Sequence, residues 1–438
     1  MSLVLKNALL CDIDPICVER GDLRIDAGLI TERGQVATTS VDEIVECGSA
    51  VVLPGLVNGH THIYSALAVG MPAPPKQPTN FHEILKYVWW RLDQALDAES
   101  IEMSARIAAM QALRCGTTTL VDHHASPNCI GGSLDLIEKA LTDFGPRGVL
   151  CYETTDRHGR AGREAGLQEN RRFAEKCRAT KEGRLAGLIG AHASFTLDDE
   201  SLGQLAALSK ATGAGVHIHV AEDPCDEADA KQRGASSLID RLAAHGLLKP
   251  GNIFAHGTHL DARAVELVNS AGLTMAHNSR SNMNNAVGYA PLAAFRVPVM
   301  LGTDGIGADL FAEAQSAWYI SRHQKAGLSP AQIIAMLAAS ARRASTSLGV
   351  TLGKLAVGAA ADVVITDYLP ITELTTDNLP SHFIWGMSSN HVKSVLIEGQ
   401  WKLRDRAIVG IDERGNRERA RDVASRLWKR METRYSES

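Results

Sequence analysis

The stretch Val51-Val52-Leu53-Pro54-Gly55-Leu56-Val57-Asn58-Gly59-His60-Thr61-His62 constrains this chain more than any other. It reads as a buried apolar strand that ends in a His-x-His pair. Side chains alternate across a strand, so His60 and His62 share one face. Two imidazoles on one face of a strand end can grip one metal ion. A lone pair of this kind is commonplace. The rest of the chain gives it weight, because three more apolar strands end in metal-type or proton-transfer residues: His219 with Glu222, His256, and Asp304.

At 438 residues the chain has room for one large domain and a smaller one. A net charge of -5 gives no nucleic-acid footprint. No basic run suggests an anionic membrane surface either. The eight cysteines are scattered, with no Cys-x-x-Cys pair. That favours reduced thiols and a cytoplasmic location. Asp12 and Asp14 interrupt the N-terminal stretch early, so neither a signal peptide nor a membrane span is expected.

Short strands are expected at Leu3-Val4-Leu5, Leu23-Arg24-Ile25 and Ile44-Val45, and again at Ala361–Ile365 and Val392–Ile397. Between them strand and helix alternate. Strands are expected near 51–58, 117–122, 148–153, 185–190, 215–220, 252–256, 273–277 and 297–302. One helix should run from a cap at Asp97 to a stop at Gly116, with Ile101, Ala105, Ala108 and Ala112 on one stripe. Another should start at Ser329-Pro330 and stop at Gly349. Eight strand–helix units predict an α/β fold, a (β/α)8 TIM-like barrel over residues 54–354. A doubly wound sheet fits less well, because the polar residues follow strands throughout rather than at one switch point. A small β-sandwich domain is expected from residues 1–53 and 355–410, and a C-terminal surface helix over 411–438. The proline-rich segment Met71–Pro78 should form a semi-rigid loop over the barrel mouth.

In such a barrel the strand ends face one mouth, so His60, His62, His219, Glu222, His256, His277 and Asp304 should converge. Buried unpaired polar groups cost ~1–3 kcal/mol each, and a metal satisfies several at once. Three imidazoles and a carboxylate suit a divalent ion such as zinc or iron. An open position holds a water whose pKa falls toward ~7 on zinc. Glu222 lies just beyond His219, placed to work on that water, and His256 and Asp304 can handle the other protons.

These motifs resemble the amidohydrolase superfamily, along nearly the whole chain: Pro54–His62, the His-x-x-Glu at His219–Glu222, Ala255-His256, His277–Met283 and Gly302–Gly305. They are most similar to the mononuclear branch with the cytosine, guanine and S-adenosylhomocysteine deaminases and the triazine hydrolases. Trp89–Asp93, Asp122–Pro127, Glu153–Arg157 and Ser281–Asn285 look like the aminohydrolases called SsnA. The resemblance implies His60, His62, His219 and Asp304 as ligands of one divalent ion, zinc first and iron second. It implies Glu222, His256 and Asp304 as the catalytic groups. His123, His192, His277, Asn282 and Trp90 are expected to bind substrate. Leu188–His192 lacks the lysine that bridges two metals in binuclear relatives, which argues for one ion. The arginine that often follows the first histidine pair is replaced within Ala68-Val69-Gly70, and Ser279 stands where many relatives have proline.

The expected activity is hydrolytic deamination of an aromatic N-heterocycle of purine, pterin or pyrimidine type, in the manner of hydrolases acting on non-peptide C–N bonds. The alternatives are a triazine-type chlorohydrolase or aminohydrolase, or a cyclic amide hydrolase. A metal-binding protein without turnover is the reading from another class, and the retained Glu222, His256 and Asp304 speak against it. A small heterocycle is the expected partner, with no nucleic acid and no membrane, and the family implies a homodimer or higher assembly.

Overall fold

In the computed structural model, which describes residues 2–180 and 182–436, both ends of the chain enter one sheet. The N-terminal part supplies β1 (Leu3–Ile13), β2 (Ile16–Asp26), β3 (Leu29–Gly34), β4 (Glu43–Glu46) and β5 (Val51–Pro54). The middle supplies β6 (Leu56–Thr61), β7 (Thr117–His124), β8 (Arg147–Tyr152) and β9 (Leu185–Gly187). It continues with β10 (Ile189–Ala193), β11 (Val216–Val220), β12 (Ile253–His256), β13 (Thr274–His277) and β14 (Val299–Leu301). The C-terminal part supplies β15 (Val363–Thr366), β16 (Val392–Ile397), β17 (Gln400–Arg404) and β18 (Ala407–Ile408).

Among the described residues, β1–β5 and β15–β18 pair into one nine-stranded sheet. β5 lies at its centre, parallel to β1 and antiparallel to β15. The remaining strands form two parallel sheets, β6-β7-β8-β9 and β10-β11-β12-β13-β14. Single bridges, Thr61 with Asp304 and Thr154 with Ala191, link these two arcs at both margins. Most of their strands are buried from end to end, as parallel strands covered on both faces should be.

The expected strands are present, with two refinements, the first being that the stretch 51–58 divides at Gly55 between β5 and β6. In the second, the stretch 185–190 breaks at Leu188 into β9 and β10, although the Leu188 amide still donates to Leu150 O at 2.9 Å. The expected helix starts follow their caps. Asp97 accepts from the Ser100 amide ahead of helix Ala98–Arg114, and Ser329 accepts from Gln332 ahead of helix Pro330–Leu348. The charged terminal helix, Glu413–Ser436, is not wholly on the surface. It buries Val423, Leu427 and Met431, and Arg430 Nε donates to Ala95 O at 2.8 Å. No helix among the described residues is long and apolar enough to cross a membrane.

Two features tie the nine-stranded sheet to the parallel arcs. The first is Gly55, where the chain leaves β5 and enters β6 without a loop. A Cβ here would lie 2.3 Å from Thr118 Oγ1, so only glycine lets the strand approach β7 this closely. The second is Arg147 at the start of β8. Its fully buried guanidinium bonds Asp362 twice, at 2.8 and 3.1 Å, and reaches Glu398 at 3.0 Å.

Candidate metal centre and pocket

The C-terminal ends of the parallel strands carry the polar residues. β6 ends with His60 and Thr61 and leads into His62; β11 holds His217 and His219; β12 ends at His256. Asp304 follows β14 and locks onto the end of β6, its amide donating to His60 O at 3.0 Å and its carbonyl accepting from His62 N at 3.2 Å. Ala221, His256 and Asp304 all have left-handed backbone, with φ of 50°, 72° and 52°. Such conformations are sparsely populated for residues with a Cβ and gather at working sites.

Each imidazole is fixed at Nδ1. His62 Nδ1 donates to His123 O at 2.6 Å, and His219 Nδ1 donates to His192 O at 2.8 Å. His256 Nδ1 meets Asn282 Oδ1 at 2.8 Å. A protonated Nδ1 leaves Nε2 as a lone pair, the state that binds metal. These Nε2 atoms converge on Asp304 Oδ1, which lies 2.8 Å from His62 Nε2 and 3.4 Å from His60 Nε2. His219 Nε2 is 3.2 Å from His62 Nε2. The other oxygen, Asp304 Oδ2, accepts a short bond from the Ser281 hydroxyl.

His60, His219, His256 and Asp304 place one donor atom each within 4.8 Å of one another. His60 Nε2 and His256 Nε2 are buried with no hydrogen-bond partner. Two orphaned lone pairs beside a carboxylate are costly unless they share a cation, so this donor set fits a divalent ion. The sequence grouped His62, rather than His256, with His60, His219 and Asp304. The geometry brings His62 to Asp304 and His219, and it also brings His256 into the cluster.

The Asp304 carboxylate calls for a positive charge beside it, which a proton on His62 Nε2 or a bound cation supplies, the one displacing the other. Burial disfavours a cation at His62, but the Asp304 carboxylate overcomes this and raises it to about 9. Burial also works against the Asp304 charge, and His62 and His60 outweigh it, holding this carboxyl well below its ordinary range. Glu222 goes the other way: burial, then the charge of Asp304, pushes it well above its ordinary value. Its Oε2 lies 3.5 Å from His256 Nε2.

Above the cluster opens a pocket. Tyr64, Phe81, Leu85, Trp89 and Trp90 form its apolar wall; His62, His219, Glu222 and Asp304 form its floor; Asp93, Glu153 and His192 line a third side. Apart from Tyr64, the wall follows the proline-rich segment. It is carried by a wide turn in which the Trp90 amide bonds Leu85 O, five residues back, a bulge found often at working sites.

Of the residues expected to meet substrate, His192 and Trp90 line this pocket. His123, His277 and Asn282 stand behind it. His123 Nε2 donates to Ala191 O at 3.0 Å, Asn282 holds His256, and His277 is buried edge-on to Tyr289. From the helix that carries Asn282, Ser279–Asn284, Ser281 and Asn284 reach the pocket, and so does Asn285 just past its end.

Two pocket carboxylates escaped selection from the sequence. Glu153 follows β8 and lies 3.3 Å from His123 Nδ1 and 2.9 Å from Arg157 Nη2. Burial opposes its charge, yet His192, His123 and Arg157 outweigh it and hold Glu153 well below the carboxylate range. Arg157 in turn covers the Trp90 ring at 4.4 Å. Asp93 is pushed up by burial to about 7. Both lie in motifs already singled out, Glu153–Arg157 and Trp89–Asp93, and Glu153 stands at a strand end like the ligands.

Gly302 sits directly behind the cluster. A Cβ there would lie 2.5 Å from Asn278 Oδ1 and 2.8 Å from His60 Cβ. Gly302→Ala should cost about 1–3 kcal/mol through overpacking. It should also lower metal content by shifting His60. Thermal unfolding with metal analysis checks this, and wild-type values for both would refute it.

Residues 51–402 match the profile described as Amidohydrolase family. A 5'-deoxyadenosine deaminase of Methanosarcina barkeri is 28% identical over 98% of this chain and 99% of its own length. A 5-methylthioadenosine/S-adenosylhomocysteine deaminase of Halobacterium salinarum is 28% identical over 94% of each chain. Among solved structures, an adenosine deaminase from Xanthomonas campestris with bound zinc superposes with a TM-score of 0.83 at 23% identity, over 97% of this chain and 98% of that one. An atrazine chlorohydrolase from Arthrobacter aurescens complexed with zinc gives 0.79 at 20% identity, over 97% and 100%. These two share its fold. The profile match runs through β5 and every strand of both parallel arcs, and this chain therefore belongs to the amidohydrolase family.

Proposed function

We propose that this protein is a metal-dependent hydrolytic deaminase that removes the exocyclic amine of an aromatic N-heterocycle, with an adenosine-type purine as the first candidate. One observation carries the reading: Glu222, raised by burial, stands 3.5 Å from His256 Nε2 beside the donor cluster. Adding water across a ring C–N bond needs a carboxyl that can take up a proton and give it back at neutral pH. The deaminase names of relatives 28% identical over nearly the full length support the purine.

His60, His62, His219 and Asp304 are the ligands in this reading, with His256 near enough to join them, and the ion is single, zinc first and iron second. A divalent ion held there supplies Lewis acidity that makes water a nucleophile at neutral pH. Glu222 takes the proton of the attacking water and delivers it to the ring nitrogen. His256 polarises the attacked centre. Asp304 takes the second proton and passes it to the leaving amine. Trp90 and His192 contact the ring, and Tyr64, Phe81 and Leu85 keep bulk water away. His123 and Asn282 act through the groups they hold, and His277, edge-on to Tyr289, backs the pocket.

The two parallel arcs, joined at their margins, support a (β/α)8 barrel over residues 54–354. Residues 2–53 and 355–410 are its smaller β-sandwich partner, and Glu413–Ser436 is its terminal helix, the last two residues of the expected 411–438 lying outside the described residues. Eight free cysteines suit the reducing cytoplasm. The assembly is taken as a homodimer or larger.

Ammonia release tests the activity, using metal-loaded protein and a panel of adenosine, 5'-deoxyadenosine, guanine, cytosine, a pterin and an aminotriazine. Release from an adenosine-type purine is expected. No ammonia from any amine, at full metal content, would overturn the proposal, and chloride release from a chlorotriazine would replace it. Chelation should abolish turnover, and one equivalent of zinc should restore it. A requirement for two tightly bound ions would refute the single site.

A further inference from the structure

His60 stands apart from the other imidazoles of the cluster. His62 and His219 are oriented by peptide carbonyls, and His256 by an amide oxygen. His60 Nδ1 instead meets another imidazole nitrogen, His217 Nε2, at 2.9 Å. Both rings are wholly buried. Two imidazole nitrogens this close share one proton, and the site on which it sits must be decided by what lies at either end.

At the inner end, His217 Nδ1 faces Cys151 Sγ at 3.9 Å, and Cys151 Sγ lies 3.4 Å from Asp122 O. A carbonyl only accepts, so the thiol donates to it. Burial drives the Cys151 thiol pKa well up, which keeps that proton in place. The sulfur is then free to accept from His217 Nδ1–H. At the outer end, His60 Nε2 faces the donor cluster with no hydrogen-bond partner.

We infer that His217 is a positioning residue whose neutral Nδ1–H tautomer accepts from His60 Nδ1–H and so fixes His60 Nε2 as a metal-binding lone pair. The chain then runs in one direction: His60 Nδ1–H to His217 Nε2, His217 Nδ1–H to Cys151 Sγ, Cys151 Sγ–H to Asp122 O. Every donor in it has an acceptor. Run backwards, it would put a proton on His60 Nε2, pointing at Asp304 and the other ligands. A buried imidazole dyad thus does for His60 what a carbonyl does for His62 and His219. This rests on the metal-site reading given above.

The test uses the full chain loaded with cobalt(II). Affinity is read by competition with a chromogenic chelator. The ring N–H protons of bound histidines are read as solvent-exchangeable, cobalt-shifted resonances. His217→Leu removes the acceptor and should weaken cobalt binding about 10–100-fold, the usual cost of losing an orienting partner. It should also lose or broaden the His60 N–H resonance. His217→Gln can place an amide oxygen near the Nε2 position and should keep the affinity within a few-fold and the resonance visible. Equal affinity for wild type and His217→Leu overturns the inference. So does His217→Gln as weak as His217→Leu, since His217 then only fills space. If His217→Leu does not fold, His217→Gln decides by whether the resonance survives. A wild type that holds no cobalt overturns the metal-site reading and this inference together, an outcome distinct from equal binding by all variants.

Discussion

Glu222→Gln lowers deamination turnover about 10²–10⁴-fold, the span typical of a lost general acid–base. The substitution keeps the shape of the side chain and much of its hydrogen bonding. It removes the ability to take a proton from water and return it at the ring. Glu222 is not among the cluster donors, so metal content should stay at the wild-type level. Asp304→Asn provides the contrast. Asp304 Oδ1 stands 2.8 Å from His62 Nε2 and 3.4 Å from His60 Nε2, so this variant should lose metal and activity together. Turnover and elemental analysis on both variants distinguish the two roles. Near-normal turnover by Glu222→Gln with a full metal site would contradict the proposed proton transfer.

Arg147→Met lowers the free energy of unfolding by about 3–5 kcal/mol, because it leaves a buried charge without its partner. The remaining charge is Asp362, 2% exposed, whose two oxygens both bond the guanidinium. Gly183 O also loses its 2.6 Å donor. No ligand lies on this contact, so metal affinity of the folded fraction should be unchanged. Replacing Arg147 and Asp362 together by Met and Leu should recover much of the loss, since the cost lies in the unpaired ion. Denaturant unfolding of both variants checks this. A single variant as stable as wild type would show that the buried pair contributes nothing.

The sequence makes strand positions legible here because parallel strands carry short apolar runs, as β8, β12 and β14 do. Helix starts are legible at Asp97 and Ser329, where cap chemistry is local. Strand order in the nine-stranded sheet is not legible, because β15 joins β5 through contacts between opposite ends of the chain. The five-residue turn before Trp90 leaves no periodic trace. Within the site, His60, His62, His219 and Asp304 stand out as ligand types at strand ends. His217 was equally readable: the alternation that pairs His60 with His62 also pairs His217 with His219. Glu153 and Arg147 could not be separated from ordinary charged residues, since only burial and partners distinguish them.

Gly55 has a mechanical consequence. Because β5 passes into β6 with no slack between them, the outer sheet acts as the datum from which His60 and His62 are aimed. Β5 is gripped on one side by β1 and on the other by β15, so the two tails of the polypeptide jointly set the bearing of that histidine pair. A tilt of the outer sheet would swing the pair as a rigid lever, with no joint to absorb it. Trimming either tail should therefore misdirect the two imidazoles, even in a molecule whose parallel strands remain paired.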